Sequence, residues 1–180
     1  MTAPLSFQAL KFNFTSKTMT KPFLIFGYGN LSRGDDALGP LLLSDLEDKI
    51  DSTQIEILTD FQLQVEHALD LENRQLVLFI DASVSCETAF NFSKLEALRD
   101  KSYSTHAMSP SAVLQVYQSI KKQAPPACYL LSIQGLSFEL GEEPSQQAKE
   151  NLQQATQFAE YLLQNKDITF WNQQLVKFPL

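Results

Sequence analysis

The chain has 180 residues, of which 44% are hydrophobic and 19% are charged, and its formal net charge is −7. This composition predicts one globular domain, and the lack of a basic stripe argues against a nucleic-acid partner. No apolar run reaches the roughly 20 residues that a membrane-spanning helix needs. The two cysteines, Cys86 and Cys128, provide no disulfide framework, and we therefore expect a cytoplasmic location.

The first part of the chain differs in composition from the rest. Residues 1–34 contain three lysines and one arginine but no acidic residue. We predict that residues 1–20 form an N-terminal extension, with Met19 as an alternative start of the protein. A transit peptide and an additional strand are the other interpretations. We expect the main domain at 21–166, followed by a tail at 167–180 that packs back on the domain or contacts a partner.

Hydrophobic periodicity predicts alternating strands and helices. Strands are expected at 22–27, 55–58, 75–80, 89–92 and 127–133. Helices are expected at 36–50 and 63–71, and two more begin at Ser109 and Ser145, because serine is a preferred N-cap residue. Apolar strands that alternate with helices predict a mostly parallel sheet with helices on both faces.

The most informative motif spans residues 23–40, which read FLIFGYGNLSRGDDALGP. An apolar strand leads into a glycine-rich turn, and Asp35 and Asp36 then stand at the start of a helix. Free N–H groups and the helix dipole favour carboxylates at this position. We expect Asp35 to cap the helix and Asp36 to face outward. Two carboxylates disfavour a bound phosphate, and they favour a cation or a positively polarised substrate.

Polar residues follow several of the predicted strands. Asp36, Asp60 and Asp81 follow the first, second and third strand, and His106 precedes the helix that begins at Ser109. Ligands of open α/β sheets bind beyond the carboxyl ends of the strands, so we expect these side chains at one edge of the sheet. Carboxylate and imidazole ligands suit a divalent transition metal, with coordination positions left open for substrate or water.

Four motifs carry a resemblance to a known family: GYGNLSRGDDALGP, LTDFQLQVEHALDL, FIDAS and STHAMSP. In this order and context, the chain resembles the nickel-iron hydrogenase maturation endopeptidases over about residues 22–165. The resemblance implies a three-layer α/β/α fold with a twisted, mostly parallel five-stranded sheet of the phosphorylase/hydrolase-like type. It also implies an endopeptidase that removes the C-terminal extension of a hydrogenase large-subunit precursor after nickel insertion.

The family's metal-contacting residues fall on Asp36, Asp81 and His106 of this chain, and the resemblance implies that the same three residues are catalytic. Asp60 matches a further acidic residue of the family and is a possible fourth metal contact. On this interpretation the nickel is supplied by the substrate, and no permanent organic cofactor is expected. The three side chains then form an incomplete coordination shell that detects whether the precursor contains its metal.

Two other functions remain open at this point. A nucleotide-binding domain would use the GYG turn, although Ser32 occupies the place of the third glycine of that pattern. A non-catalytic checkpoint or chaperone for a nickel-loaded partner would use the same acids and histidine.

Elsewhere, we expect His67 to be a surface or packing residue and Cys86 to be a small buried hydrophobic residue. The sequence leaves open which precursor is cut, the bond, and the oligomeric state.

Overall fold

The computed structural model describes residues 20–98 and 108–175. Five strands form one sheet in the order β2-β1-β3-β5-β4. They are β1 (Phe23–Tyr28), β2 (Ile55–Asp60), β3 (Leu76–Ser83), β4 (Phe90–Lys94) and β5 (Ala127–Gln134). β4 is antiparallel to β5, and the other three neighbouring pairs are parallel. The predicted α/β class with a mostly parallel five-stranded sheet is confirmed.

Among the described residues, four α-helices flank the sheet, namely α1 (Leu38–Leu46), α2 (Pro110–Lys121), α3 (Gln146–Gln164) and α4 (Ile168–Leu175). Short 3-10 helices occupy Gly34–Ala37, Glu47–Lys49 and Val65–Leu71. The helix predicted at 36–50 is therefore α-helical only in its middle. The helix predicted at 63–71 is a seven-residue 3-10 segment, because a stretch this short gains little from regular α-helical hydrogen bonding.

Side-chain alternation along the strands divides the core into two layers. On one face, Phe23 and Ile25 of β1 pack with residues of α1, α3 and α4. On the other face, Leu24, Phe26 and Tyr28 pack with residues of α2 and of the Val65–Leu71 segment. Burial on both faces explains why β1 reads as a continuous apolar run rather than an alternating one.

The two predicted serine caps are present. The Ser109 hydroxyl accepts a hydrogen bond from the Ala112 N–H at 3.2 Å, and the Ser145 hydroxyl accepts one from the Ala148 N–H at 3.2 Å. Each serine satisfies an N–H group that the first turn of its helix leaves without a partner. Sequence and structure therefore agree on where α2 and α3 begin.

The C-terminal segment packs back on the domain over residues 168–175. Trp171 of α4 is buried, and its indole N–H lies 3.0 Å from the carbonyl oxygen of Leu162 and 3.1 Å from that of Asn165. Its ring contacts Phe92 and Tyr129 edge-on. The N-terminal extension predicted at 1–20 lies outside the described residues except for Thr20. No helix in the described part of the chain is long and apolar enough to cross a bilayer.

Candidate functional site

Polar residues lie side by side near the carboxyl ends of three parallel strands. Tyr28 of β1 is paired with Asp60 of β2, and Gly27 is paired with Ile80 of β3, so that Asp81 comes next to Tyr28. By strand alternation, Tyr28, Asp60 and Asp81 lie on the face of the sheet that α2 covers. The carboxyl edge of this face is where the sequence predicted a site.

Asp81 is a largely buried carboxyl group whose ionisation is poised near neutrality. Burial raises its pKa to about 6, and the negative charge of Asp36 adds to the increase. Hydrogen bonds donated by the Tyr28 hydroxyl and the Ala82 N–H act in the opposite direction but do not outweigh burial. Asp81 therefore gains or loses a proton in the pH range in which many hydrolytic enzymes work.

Tyr28 is the hydrogen-bond donor to Asp81, and sequence reasoning did not identify it. Burial raises the pKa of Tyr28 well above 10, and the charge of Asp81 and the hydrogen bond to it raise it further. The phenol thus stays protonated and donates to the carboxylate. A signal was available in the sequence, because the period of two places Tyr28 at the end of a buried strand on the same face as Asp81.

Asp36 lies on the 3-10 segment that follows β1. One oxygen of its carboxylate, Oδ2, accepts a hydrogen bond from the Asn30 N–H at 2.9 Å. Its side chain is half-buried and bonded to the preceding turn, so it does not face freely outward as predicted. The structure brings the Asp36 carboxylate close enough to Asp81 for its negative charge to raise the pKa of Asp81.

The prediction that Asp35 caps the helix is wrong. Its side chain is 0% exposed, and its oxygens accept hydrogen bonds from the N–H groups of Leu136 at 2.6 Å, Ser137 at 3.0 Å and Ser145 at 2.6 Å. The Ser145 hydroxyl donates a fourth bond at 2.9 Å. The residue in the cap position is Arg33, and it makes no side-chain cap bond. Four donors on a distant loop outweigh the single bond of a local cap.

These four bonds also determine the charge of Asp35. Burial alone would raise the pKa of its carboxyl group. The hydrogen bonds from Leu136, Ser137 and Ser145 favour the ionised form more strongly, and the pKa lies below its ordinary value. Asp35 is thus an ionised structural group, and its oxygens are already occupied by donors.

Asp60 has a partner that the sequence analysis missed. Its Oδ1 accepts a hydrogen bond from the Phe61 N–H at 2.6 Å, and its Oδ2 lies 3.4 Å from His67 Nε2. His67 Nδ1 accepts a hydrogen bond from the Gln64 N–H at 2.9 Å, which leaves the proton of the neutral ring on Nε2, facing Asp60.

His67 also packs edge-on against Phe26, with ring centroids 4.7 Å apart, so its predicted packing role is confirmed. The contact with Asp60 adds to that role. The spacing of Gln64 and His67 at the start of a helical segment is typical of a capping box and could have indicated that His67 is held in place.

The third predicted metal contact, His106, lies outside the described residues. Met108, where the description resumes, donates its N–H to the carbonyl oxygen of Leu63 at 3.2 Å, close after the end of β2. Within residues 20–98 and 108–175, no three His, Cys, Asp or Glu side chains are grouped closely enough to hold a metal ion. The carboxylates of Asp36 and Asp81 are oxygen donors that suit a divalent cation when other ligands complete the shell.

Cys86 contacts this edge of the sheet, because its thiol donates a hydrogen bond to the carbonyl oxygen of Ser132, the residue paired with Asp81, at 3.8 Å. Cys86 and Cys128 are both free and buried. Burial raises the pKa of the Cys128 thiol far above its usual range, so that it is not a thiolate nucleophile. The prediction that Cys86 is a small buried hydrophobic residue is confirmed.

No family model and no curated protein matches this sequence. Among solved structures, NiFe hydrogenase maturation protease HycI from Thermococcus kodakarensis KOD1 has a TM-score of 0.62 and 25% identity, over 81% of this chain and 94% of that chain. Hydrogenase maturating endopeptidase HybD from E. coli has a TM-score of 0.64 and 21% identity, over 80% and 93%. HybD from Thermococcus kodakarensis has a TM-score of 0.59 and 22% identity, over 78% and 98%. The predicted resemblance to this family is confirmed.

Proposed function

We propose that this chain, which has the fold and the sequence motifs of the hydrogenase maturation proteases, is an endopeptidase. It removes the C-terminal extension of a nickel-iron hydrogenase large-subunit precursor after nickel insertion. The observation that carries the proposal is the carboxylate pair Asp36 and Asp81 at the carboxyl edge of the sheet, in a chain similar to a maturation protease over 81% of its length.

In this proposal, Asp36, Asp81 and His106 contact the nickel centre of the substrate. The nickel belongs to the precursor, and no permanent organic cofactor is needed. Two neighbouring carboxylates repel each other, and a bound cation removes that repulsion. A precursor without nickel lacks the positive charge that the pair attracts, so the site distinguishes loaded from unloaded precursor.

The protonation of Asp81 gives the recognition step a definite chemistry. With its pKa at about 6, Asp81 carries a proton during part of the time near neutral pH. A cation beside it stabilises the carboxylate, and the proton is released to solvent. The Tyr28 hydroxyl continues to donate to the carboxylate and holds its orientation during this change.

Cleavage then needs a water molecule and a base near the scissile bond. We propose that a carboxylate of the same edge accepts the proton of the attacking water while the water oxygen bonds to the peptide carbonyl carbon and the π electrons of the carbonyl move to its oxygen. The C=O bond then re-forms as the C–N bond breaks, and the carboxyl group returns the proton to the leaving amine. We assign this role to Asp60, and the assignment is supported by its pairing with Tyr28 in the sheet and by the His67 ring nitrogen 3.4 Å from its carboxylate. The cytoplasmic location remains a prediction, supported by the two free, buried cysteines.

The direct test mixes the purified chain with nickel-loaded and nickel-free precursor from the same source and measures intact masses. We expect the nickel-loaded precursor to lose a C-terminal peptide and the nickel-free precursor to keep its mass. Asp45→Asn is a suitable control, because Asp45 is an exposed acid of α1 outside the site. Equal cleavage of both precursors would contradict metal recognition. Binding without any change of mass would instead support a non-catalytic checkpoint or chaperone.

A further inference from the structure

Two loops beside the carboxylate pair are tied together by hydrogen bonds. The first loop joins β1 to α1, and the second joins β5 to α3. Besides the four bonds to the Asp35 carboxylate, the bonds between them are Gly34 N–H to Glu142 O at 3.0 Å, Asp35 N–H to Ser137 O at 2.7 Å, Gly141 N–H to Ser32 O at 2.7 Å and Arg33 Nε–H to Phe138 O at 2.8 Å. These hydrogen bonds fix the conformation of both loops.

The close approach of the loops is built into their glycines. Gly34 has a φ of +52°, and a Cβ added to it would lie 2.6 Å from the carbonyl oxygen of Ser137. A side chain there would force the loops apart. Gly34, with its positive φ, and the buried, ionised Asp35 carboxylate therefore both hold the two loops close together.

These two hydrogen-bonded loops expose large apolar side chains. Leu31 on the first loop is 61% exposed, and Leu136 and Leu140 on the second are 61% and 76% exposed. We refer to these three residues as the leucine platform. Single exposed leucines are common, but Leu31 and Leu140 flank the same hydrogen bond between the loops, from Gly141 N–H to Ser32 O. Exposed apolar side chains that lie together mark protein interaction sites.

The platform is linked to the candidate site along the chain and through two hydrogen bonds. The residue before Leu31 is Asn30, whose N–H is bonded to the Asp36 carboxylate. The residue before Asp36 is Asp35, whose carboxylate holds Leu136 through its N–H. A partner that brings a cation to Asp36 therefore meets the leucine platform on the same two loops.

Charge narrows the choice of partner. The second loop carries three exposed glutamates, of which Glu143 is ion-paired with Lys149 at 3.4 Å. The other two, Glu139 and Glu142, outnumber the exposed Arg33 of the first loop, and the whole chain carries a net charge of −7. An acidic fringe repels phosphate-bearing surfaces and a second copy of this chain. It attracts a protein surface on which apolar side chains are flanked by lysine or arginine.

We propose that the leucine platform is the docking surface for the precursor protein, through an apolar patch of that protein with a basic fringe. This inference rests on the proposed function, and it adds a contact that does not depend on nickel. Because the loops are already fixed by Asp35, binding loses little conformational freedom there. Docking then holds the nickel centre of the precursor against Asp36 and Asp81.

The test uses the nickel-free precursor, which the proposed function leaves uncut, so that binding can be measured at equilibrium by calorimetry. We expect the Leu31→Asp/Leu140→Asp variant to bind it about tenfold or more weakly than the unchanged chain. Leu69→Asp and Ile120→Asp are the matched controls, since these residues are 54% and 55% exposed on other elements, and we expect no change. Replacing Glu139, Glu142 and Glu143 by glutamine weakens binding, and added salt weakens it for the unchanged chain.

Steady-state cleavage of the nickel-loaded precursor gives the second readout. We expect the platform variant to raise KM by about tenfold and to leave kcat within about twofold, because the contact is made before and during the reaction alike. Equal binding and equal KM for the platform variant and the controls would overturn the docking proposal. Platform-dependent binding with no cleavage would keep the docking surface and overturn the endopeptidase. A dimer of the chain that the platform variant abolishes would overturn the precursor as occupant.

Discussion

Asp35 and Asp81 are both carboxylates withdrawn from solvent at the same edge of the sheet, and the fold treats them in opposite ways. Asp35 receives four hydrogen bonds, and its pKa is lowered. Asp81 receives fewer, and burial raises its pKa to about 6. The first charge is fully satisfied by the protein. The second is left incompletely compensated, which makes it available to a cation from outside.

The same contrast separates two neighbours in the sequence. Asp35 turns inward to the loop before α3, whereas Asp36 accepts one hydrogen bond from Asn30 and affects the ionisation of Asp81. One residue of the pair holds the loops together, and the other remains for the substrate. The number of hydrogen bonds that a carboxylate accepts, rather than its burial alone, therefore distinguishes a structural carboxylate from one available for chemistry.

Substitutions of the proposed metal-contacting residues test whether the available carboxylates serve the reaction, and they should have the greatest effect. We predict that Asp36→Asn, Asp81→Asn and His106→Ala each reduce cleavage of the nickel-loaded precursor by about 100-fold or more, because each removes a group that contacts the metal centre. Intact-mass analysis measures the cleavage, and circular dichroism checks that the fold is unchanged. Normal processing by a folded Asp36 or Asp81 variant would refute the assigned site.

Asp35→Asn tests whether the hydrogen-bonded Asp35 carboxylate stabilises the fold. Asparagine has the same shape, but its NH2 group faces backbone N–H donors and cannot accept from them. We predict that the free energy of unfolding in urea falls by about 3 kcal/mol, since the substitution breaks a buried, charge-assisted network. The exposed acid Asp48 provides a control as Asp48→Asn. A loss equal to that of the control would show that the four bonds do not stabilise the fold.

Asp81→Asn should have the opposite effect on stability. The pKa of Asp81 rises from an unfolded value of 3.8 to about 6, so its ionised form is less stable in the folded state. Stability from this group is fully present below about pH 4 and is lost as the pH rises through about 6. We predict that Asp81→Asn is more stable than the unchanged chain by on the order of 2 kcal/mol at about pH 7.5.

Urea unfolding as a function of pH measures this difference. The stability gain of Asp81→Asn should shrink as the pH falls, and it should vanish below about pH 4, where both residues are uncharged. A constant gain at every pH would point to packing rather than to charge. A loss of stability at neutral pH would contradict the contrast with Asp35.

The smallest effect concerns Tyr28. Its hydroxyl opposes the rise in the pKa of Asp81, so Tyr28→Phe should move that pKa further upward. We predict that the midpoint of the pH dependence of kcat/KM moves to higher pH, while the maximum rate falls less than about tenfold. Phe23→Leu is a control for a change of ring on the other face of β1. An unchanged pH profile would show that Tyr28 does not tune Asp81.

The architecture was largely predictable because it depends on local patterns. Apolar runs of four to seven residues predicted the strands, and Ser109 and Ser145 predicted the starts of two helices. The parallel order followed from the alternation of strands with helices. The 3-10 segment Val65–Leu71 was predicted only as helical, because periodicity does not separate a short α-helix from a 3-10 helix.

The site was predictable only where the position on a strand decides the outcome. Asp60 ends β2 and Asp81 lies two residues before the end of β3, so topology alone places them near one edge. Asp35 was misassigned because its partners lie about a hundred residues away, on a loop whose position depends on the whole fold. The contact of His67 with Asp60 likewise joins different elements, which no local pattern reveals, whereas the period of two indicates that Tyr28 and Asp81 share a face.

The measurement that tests this account most directly is an NMR titration of the Asp35 and Asp81 carboxyl carbons in the same sample of the full chain. We expect a midpoint at about pH 6 for Asp81 and a midpoint below the ordinary value for Asp35. Two ordinary midpoints, or the reverse order, would contradict the distinction between the satisfied carboxylate and the available one.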